Sequence, residues 1–261
     1  MESVHEQATG CPSVRGFLHR ATTGSDGLVL THGAGGNCNS ALLVALAENF
    51  SQNGITVLRC DLPFRQQRPY GPPLRTAEID QQGVQRAVEF LRRRVGGRVF
   101  LGGHSYGGRM ATMLAAKEPS VADGLLLLSY PLHPPNKPQQ LRTAHFPQIR
   151  TRCLFVHGTQ DPFASSEEIQ SALKLIPAET MLLSIEGAGH ELVSKKKSDV
   201  GALGFCDSGR ENQLKGSRDL GSLKPETYGV SFERLIGTPD CQCWLVHLGK
   251  QCWRHLVKPP T

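Results

Sequence analysis

The chain has 261 residues, 39% of them hydrophobic, which is enough apolar material for one sizeable core and argues against a set of small disulfide-stapled modules. Its formal net charge is +6, yet the basic residues cluster only at 92–94 and 195–197, with no interleaved aromatics, so no nucleic-acid partner is expected. Residues 1–20 carry Glu2, His5 and Glu6 without an apolar run, and no stretch reaches the roughly 18 apolar residues of a membrane span; a cytoplasmic protein with eight reduced cysteines and no membrane association is the expectation.

Residues 1–15 are expected to form an N-terminal arm. From Gly27 onward, short apolar runs alternate with longer segments of helical spacing, the pattern of strands and crossover helices on a parallel sheet. A strand at 28–31 leads to a helix at 41–50, for which Ser40 is the candidate N-cap. A second strand at 56–60 precedes a helix at 77–94, capped by Thr76, with Ile79, Val84, Val88 and Leu91 on one side. The strand at 98–102 runs into a turn and a helix ending at Lys117. Strands at 124–129 and 152–157, a helix at 166–175 and a last strand at 180–185 complete an α/β domain spanning 16–193. Ligands of such a sheet lie beyond the carboxyl ends of its strands.

Four loops at those ends carry chemistry. Gly103-His104-Ser105-Tyr106-Gly107 stands between a strand and a helix, where a G-x-S-x-G sequence describes a nucleophile elbow: glycines permit a sharp turn that lifts the serine hydroxyl clear of the backbone. A serine hydroxyl needs a base, and the base needs an acid to fix its tautomer. Asp161, in the turn after strand 152–157, and His190, in the turn after strand 180–185, supply them in the order serine, acid, histidine. The oxyanion of an acyl-transfer intermediate requires backbone N–H donors, which are assigned to Tyr106 and to Ala34 or Gly35 in His32-Gly33-Ala34-Gly35-Gly36. That loop lacks the Gly-Lys-Ser/Thr ending of a P-loop and the spacing of a dinucleotide fingerprint, so no nucleotide cofactor is expected.

Taken together, His32-Gly33-Ala34-Gly35-Gly36, the elbow at 102–109, Ser129-Tyr130-Pro131-Leu132-His133-Pro134-Pro135 and the run 154–163 resemble the α/β-hydrolase group related to testis-expressed protein 30 and to a non-catalytic chromatin-complex subunit. The likeness spans about 16–192. It implies an α/β-hydrolase fold with Ser105, Asp161 and His190 as catalytic triad, and it implies no particular substrate. It also keeps open a second reading, a catalytically silent scaffold that binds a protein partner.

The chain departs from that pattern after Leu192. An α/β-hydrolase follows its histidine with a helix packed on the sheet, whereas 194–261 is a polar extension with little periodic apolar surface, in which only 231–236 and the patch Trp244, Leu245, Val246 and Leu248 suggest structure. A shifted reading frame is one source of such a segment, and an amphipathic helix in another frame of the gene would reveal it. Cys241, Cys243, His247, Cys252 and His255 offer thiols and imidazoles, but their spacing is too tight for a usual zinc finger, and no metal is expected. The proline-rich connection 131–147 is short and rims the pocket without forming a large lid, which favours a small acyl substrate. Its His133 and the post-elbow Arg109 are candidate substrate ligands; a solvated loop and a structural partner for a carboxylate are the competing roles.

Overall fold

The structure is a computed structural model, and it describes residues 1–73 and 77–193. Eight strands form one sheet: β1 (Glu2–Ala8), β2 (Cys11–His19), β3 (Asp26–Thr31), β4 (Ile55–Cys60), β5 (Val99–His104), β6 (Leu125–Leu128), β7 (Cys153–Gly158) and β8 (Thr180–Ile185), in the order β1-β2-β4-β3-β5-β6-β7-β8. The β1–β2 and β2–β4 pairings are antiparallel, and every pairing from β4 to β8 is parallel. The six strands expected from the sequence are the six parallel ones.

Residues 1–15, expected as an arm, instead form β1 and the first half of β2. They were illegible because an edge hairpin buries one face only: Val4 and Val14 are buried while their neighbours Ser3, His5, Ser13 and Arg15 are exposed or half-buried. The parallel strands β4, β3, β5, β6 and β7 lie inside the sheet while β8 forms its other edge and is mostly half-buried, and β6, Leu125–Leu128, is apolar at every position because both of its faces are covered.

Crossover segments supply α1 (Ala41–Gln52), α2 (Pro63–Gln67), α3 (Ala77–Arg92), α4 (Tyr106–Lys117) and α5 (Ser166–Leu173). Val29, Leu101 and Leu127 share a core cluster with Val84, Val88 and Leu91 of α3 and Met110 and Leu114 of α4, whereas Leu28, Leu30, Phe100 and Leu126 are buried outside it, as the two-residue period of a strand requires. Ile79 does not join the stripe and is 37% exposed, because five residues to Val84 turn an α-helix by about 500°, some 140° off its face. Asp80 is buried in its stead. The helix also stops at Arg92. Ser40 stands at the N-cap of α1 but its side chain accepts no cap hydrogen bond, whereas Ser165, before α5, forms a full capping box with Glu168. Thr76 and the extension after residue 193, with its cysteines and histidines, lie outside the described residues. Among the described residues no helix is long and apolar enough to cross a membrane.

Candidate active site

At the end of β5 the chain turns sharply into α4. Ser105 occupies the turn with φ 50° and ψ −112°, a region that costs a non-glycine residue about 1–2 kcal/mol and is held only where surrounding structure demands it. The Ser105 N–H donates to Leu128 O at 2.8 Å, fastening the turn to the end of β6. Glycine is obligatory on either side of it: a Cβ on Gly103 would run into the backbone of Gly107 and Gly108, and one on Gly107 would strike Thr31 and the His32 carbonyl. The close approach of strand and helix is what presents the Ser105 side chain at the carboxyl edge of the sheet.

The loops after β7 and β8 bring the other two residues to it. His190 Nε2 lies 2.9 Å from Ser105 Oγ, and His190 Nδ1 lies 2.9 Å from Asp161 Oδ2. A carboxylate only accepts, so the imidazole carries its proton on Nδ1 and turns the Nε2 lone pair toward the serine hydroxyl, which donates. The Asp161 side chain is fully buried, and its Oδ1 accepts the Phe163 N–H at 2.9 Å, which fixes the carboxylate from the other side. The Phe163 ring lies tilted against His190 with centroids 4.3 Å apart. His104 Nε2–H donates to the His190 carbonyl at 2.9 Å, and burial holds the His104 pKa below the ordinary imidazole value, so it serves as a neutral brace.

The loop after β3 closes the third side, with Gly33 packed against His104 and Ser105. Its carbonyls are turned away and tied down. His32 Nδ1–H donates to Gly33 O at 2.8 Å while its Nε2 accepts the Leu62 N–H at 3.1 Å, and burial keeps this imidazole neutral. Arg65, 4% exposed, donates to Ala34 O at 2.7 Å and to Gly36 O at 2.8 Å. In a trans peptide the N–H points opposite to the preceding C=O. Fixing the carbonyls of Gly33 and Ala34 therefore aims the N–H groups of Ala34 and Gly35 to the opposite side from their tethers.

Residues 24–213 match the α/β-hydrolase domain family. The chain belongs to that family. Solved structures repeat the fold: an α/β serine hydrolase homologue from Coxiella burnetii (TM-score 0.59, 15% identity, 72% of this chain and 88% of that one), a dienelactone hydrolase from Anabaena variabilis (0.58, 19%, 74% and 90%) and a thermophilic esterase from Thermogutta terrifontis (0.57, 18%, 73% and 92%). Family membership supports a hydrolase.

Within this α/β-hydrolase domain the two candidate substrate ligands are placed differently. His133 is buried; its Nδ1 lies 2.8 Å from Pro134 O and its Nε2 lies 3.4 Å from Glu168 Oε2, so both ring nitrogens face partners within the loop and α5. Arg109, one turn into α4, is half-buried, and its guanidinium forms no hydrogen bond or ion pair among the described residues, so the carboxylate partner considered from the sequence is not there. Sequence reasoning missed Arg65, His104, Phe163 and Asp80. Asp80, 1% exposed, accepts from Tyr106 Oη–H at 2.8 Å and from the Phe64 N–H at 3.0 Å, joining the residue after Ser105 to the start of α2. Burial pushes its carboxyl pKa up. Only its helical phase with Val84 hinted at a buried carboxylate.

Proposed function

We propose that the chain is a serine hydrolase acting by acyl transfer on a small ester or thioester. The observation that carries this reading is the continuous hydrogen-bonded series Ser105–His190–Asp161, with the proton on the nitrogen that leaves Nε2 free to accept. Ser105 Oγ attacks the substrate carbonyl carbon as its proton passes to His190 Nε2, and Asp161 stabilises the resulting imidazolium without taking a proton itself. The negative charge that develops on the carbonyl oxygen is met by the amides of Tyr106 and of Ala34 or Gly35, with the positive end of the α4 dipole beneath them. The tetrahedral intermediate collapses, the C–O or C–S bond breaks, and His190 returns the proton to the departing alcohol or thiol. Water then repeats the sequence on the acyl-serine, releasing the acid. The short 131–147 connection favours substrates of modest size.

A fluorophosphonate label tests the reading. The expected result is that wild-type protein labels at Ser105 and hydrolyses short p-nitrophenyl esters, and that Ser105→Ala does neither. A folded wild type that takes no label and turns over no ester would support the rival scaffold reading.

A further inference from the structure

We propose that Arg109, Arg142 and His145 form a receptor for an oxyanion, a carboxylate or phosphate carried by the substrate beyond its scissile bond; the substrate part of this proposal rests on the acyl-transfer reading above. Arg109 comes from α4, while Arg142 and His145 come from the 131–147 connection beside it. All three are half-buried, and no carboxylate pairs with any of them among the described residues. Among the described residues the buried Nε of Arg109 meets no acceptor. The Arg142 guanidinium donates, among the described residues, only to the Pro131 carbonyl, at 3.3 Å, and Tyr130 Oη–H braces the Arg142 backbone carbonyl at 2.8 Å.

Three observations make this unfilled positive charge expensive and an anion the natural remedy. Half-burial removes water from the guanidinium groups, and Arg109 lowers the pKa of Arg142 through charge repulsion added to burial. Arg109 also stands in the first turn of α4, where the helix dipole opposes a cation and no acidic residue offsets it. His145, finally, is pushed down to about 4, first by burial and then by the Arg109 charge. Its Nε2–H donates to Thr112 Oγ at 2.9 Å, because that hydroxyl spends its own proton on Arg109 O at 2.9 Å. The Nδ1 of His145 becomes a donor only when the ring is protonated, a state that a bound anion favours. Arginine's forked donors suit a carboxylate or phosphate.

The first residue of the receptor follows the nucleophile on the same helix. The Arg109 N–H donates to Ser105 O at 3.0 Å, so the two residues are neighbours across a single helical turn of about 5.4 Å. An acyl chain whose carbonyl sits at Ser105 would meet this cationic cluster only by extending past the first turn of α4, a reach that the favoured chain length measures, and uncharged esters would gain nothing from it.

The test compares aryl half-esters of dicarboxylic acids, from succinate to suberate, with the methyl-capped esters of the same lengths, using the full chain. The expected result is at least a tenfold higher kcat/KM for the free acid at one favoured length. Arg109→Gln should cut that preference roughly 10- to 100-fold, mainly through KM, and Arg109→Lys should restore part of it. A binding measurement independent of turnover uses Ser105→Ala: adipate, or inorganic phosphate in a separate arm, should raise the His145 pKa seen by NMR by about one unit or more. A response to phosphate alone assigns a phosphoryl substituent, and a response to adipate alone assigns a carboxylate. If neither anion moves His145 and acid and capped esters react alike, the receptor is overturned while the hydrolase stands. If His145 responds but no ester of any kind turns over, the hydrolase reading fails and the receptor stands.

Discussion

His190 and His32 both stand at the carboxyl edge of this sheet beside an aspartate, and of the two only His190 has the geometry of a base. His190 presents Nδ1 to Asp161 at 2.9 Å and keeps Nε2 for the Ser105 hydroxyl, with its side chain 19% exposed. His32 is wholly buried; its nearest Asp61 oxygen is 3.8 Å away, and its two nitrogens are committed to the Gly33 carbonyl and the Leu62 N–H. Asp61 in turn serves Arg15 and the Cys38 N–H. Residue type and position are alike in the two pairs. What separates a base from a brace is whether the second nitrogen is spent on backbone or left to meet a movable proton.

The contrast is sharpest in turnover. Replacing Ser105 by Ala or His190 by Gln should lower ester kcat by about 10⁴-fold or more with folding intact, checked by p-nitrophenyl ester kinetics beside circular dichroism. Asp161→Asn should follow, at roughly 10³- to 10⁴-fold, because an amide no longer enforces the Nδ1–H tautomer; activity within tenfold of wild type would dissolve the distinction drawn here. His32→Ala should act the other way round, costing about 2–4 kcal/mol of unfolding free energy in urea through a cavity and the orphaned Leu62 N–H.

Acid should erode the braces next. His32, His104 and the buried His157, whose Nε2–H donates to Ala164 O at 2.9 Å, all have pKa values lowered by burial, so the native state binds fewer protons than the unfolded chain once pH falls below the unfolded value of about 6.5. Their contribution is complete above that value and declines as pH drops toward their folded values, by up to about 1.4 kcal/mol per pH unit for each group. Urea midpoints from pH 7.5 to 5.5 should show the loss, and His104→Gln should make the slope shallower; a flat profile would mean these rings are charged or unimportant. Asp80 has the opposite sign and the smallest effect. Its raised pKa makes the native state hold the proton, so its contribution is greatest below the unfolded value of about 3.9 and falls as pH rises through the folded value. Asp80→Asn should remove that fall and leave stability at pH 7 within about 1 kcal/mol of wild type.

The same contrast explains what was legible in the chain. Strands such as Leu125–Leu128 announce themselves because a doubly covered strand is apolar throughout, and the Ser105 elbow because only glycine fits where strand and helix nearly touch. Asp161 and His190 followed from their position after strands. The β1–β2 hairpin was lost because half of its residues face outward, and α2 because five residues beginning at Pro63 carry too little periodicity. Arg65 and His104 were invisible for a different reason: their roles lie in which distant carbonyl each nitrogen meets, a property of the closed fold that no local spacing encodes.

The single guanidinium of Arg65 also receives the carbonyls of Pro69 at 2.8 Å and Gly71 at 3.1 Å, besides those of Ala34 and Gly36. Residues 34–36 and 69–71 thus hang from one pin, whereas the proline-rich connection is joined to the scaffold by separate contacts, such as Tyr130 Oη–H to Arg142 O and His145 to Thr112. Loss of the one guanidinium would free both stretches together, while cutting any one of those contacts would free only its own part of the connection.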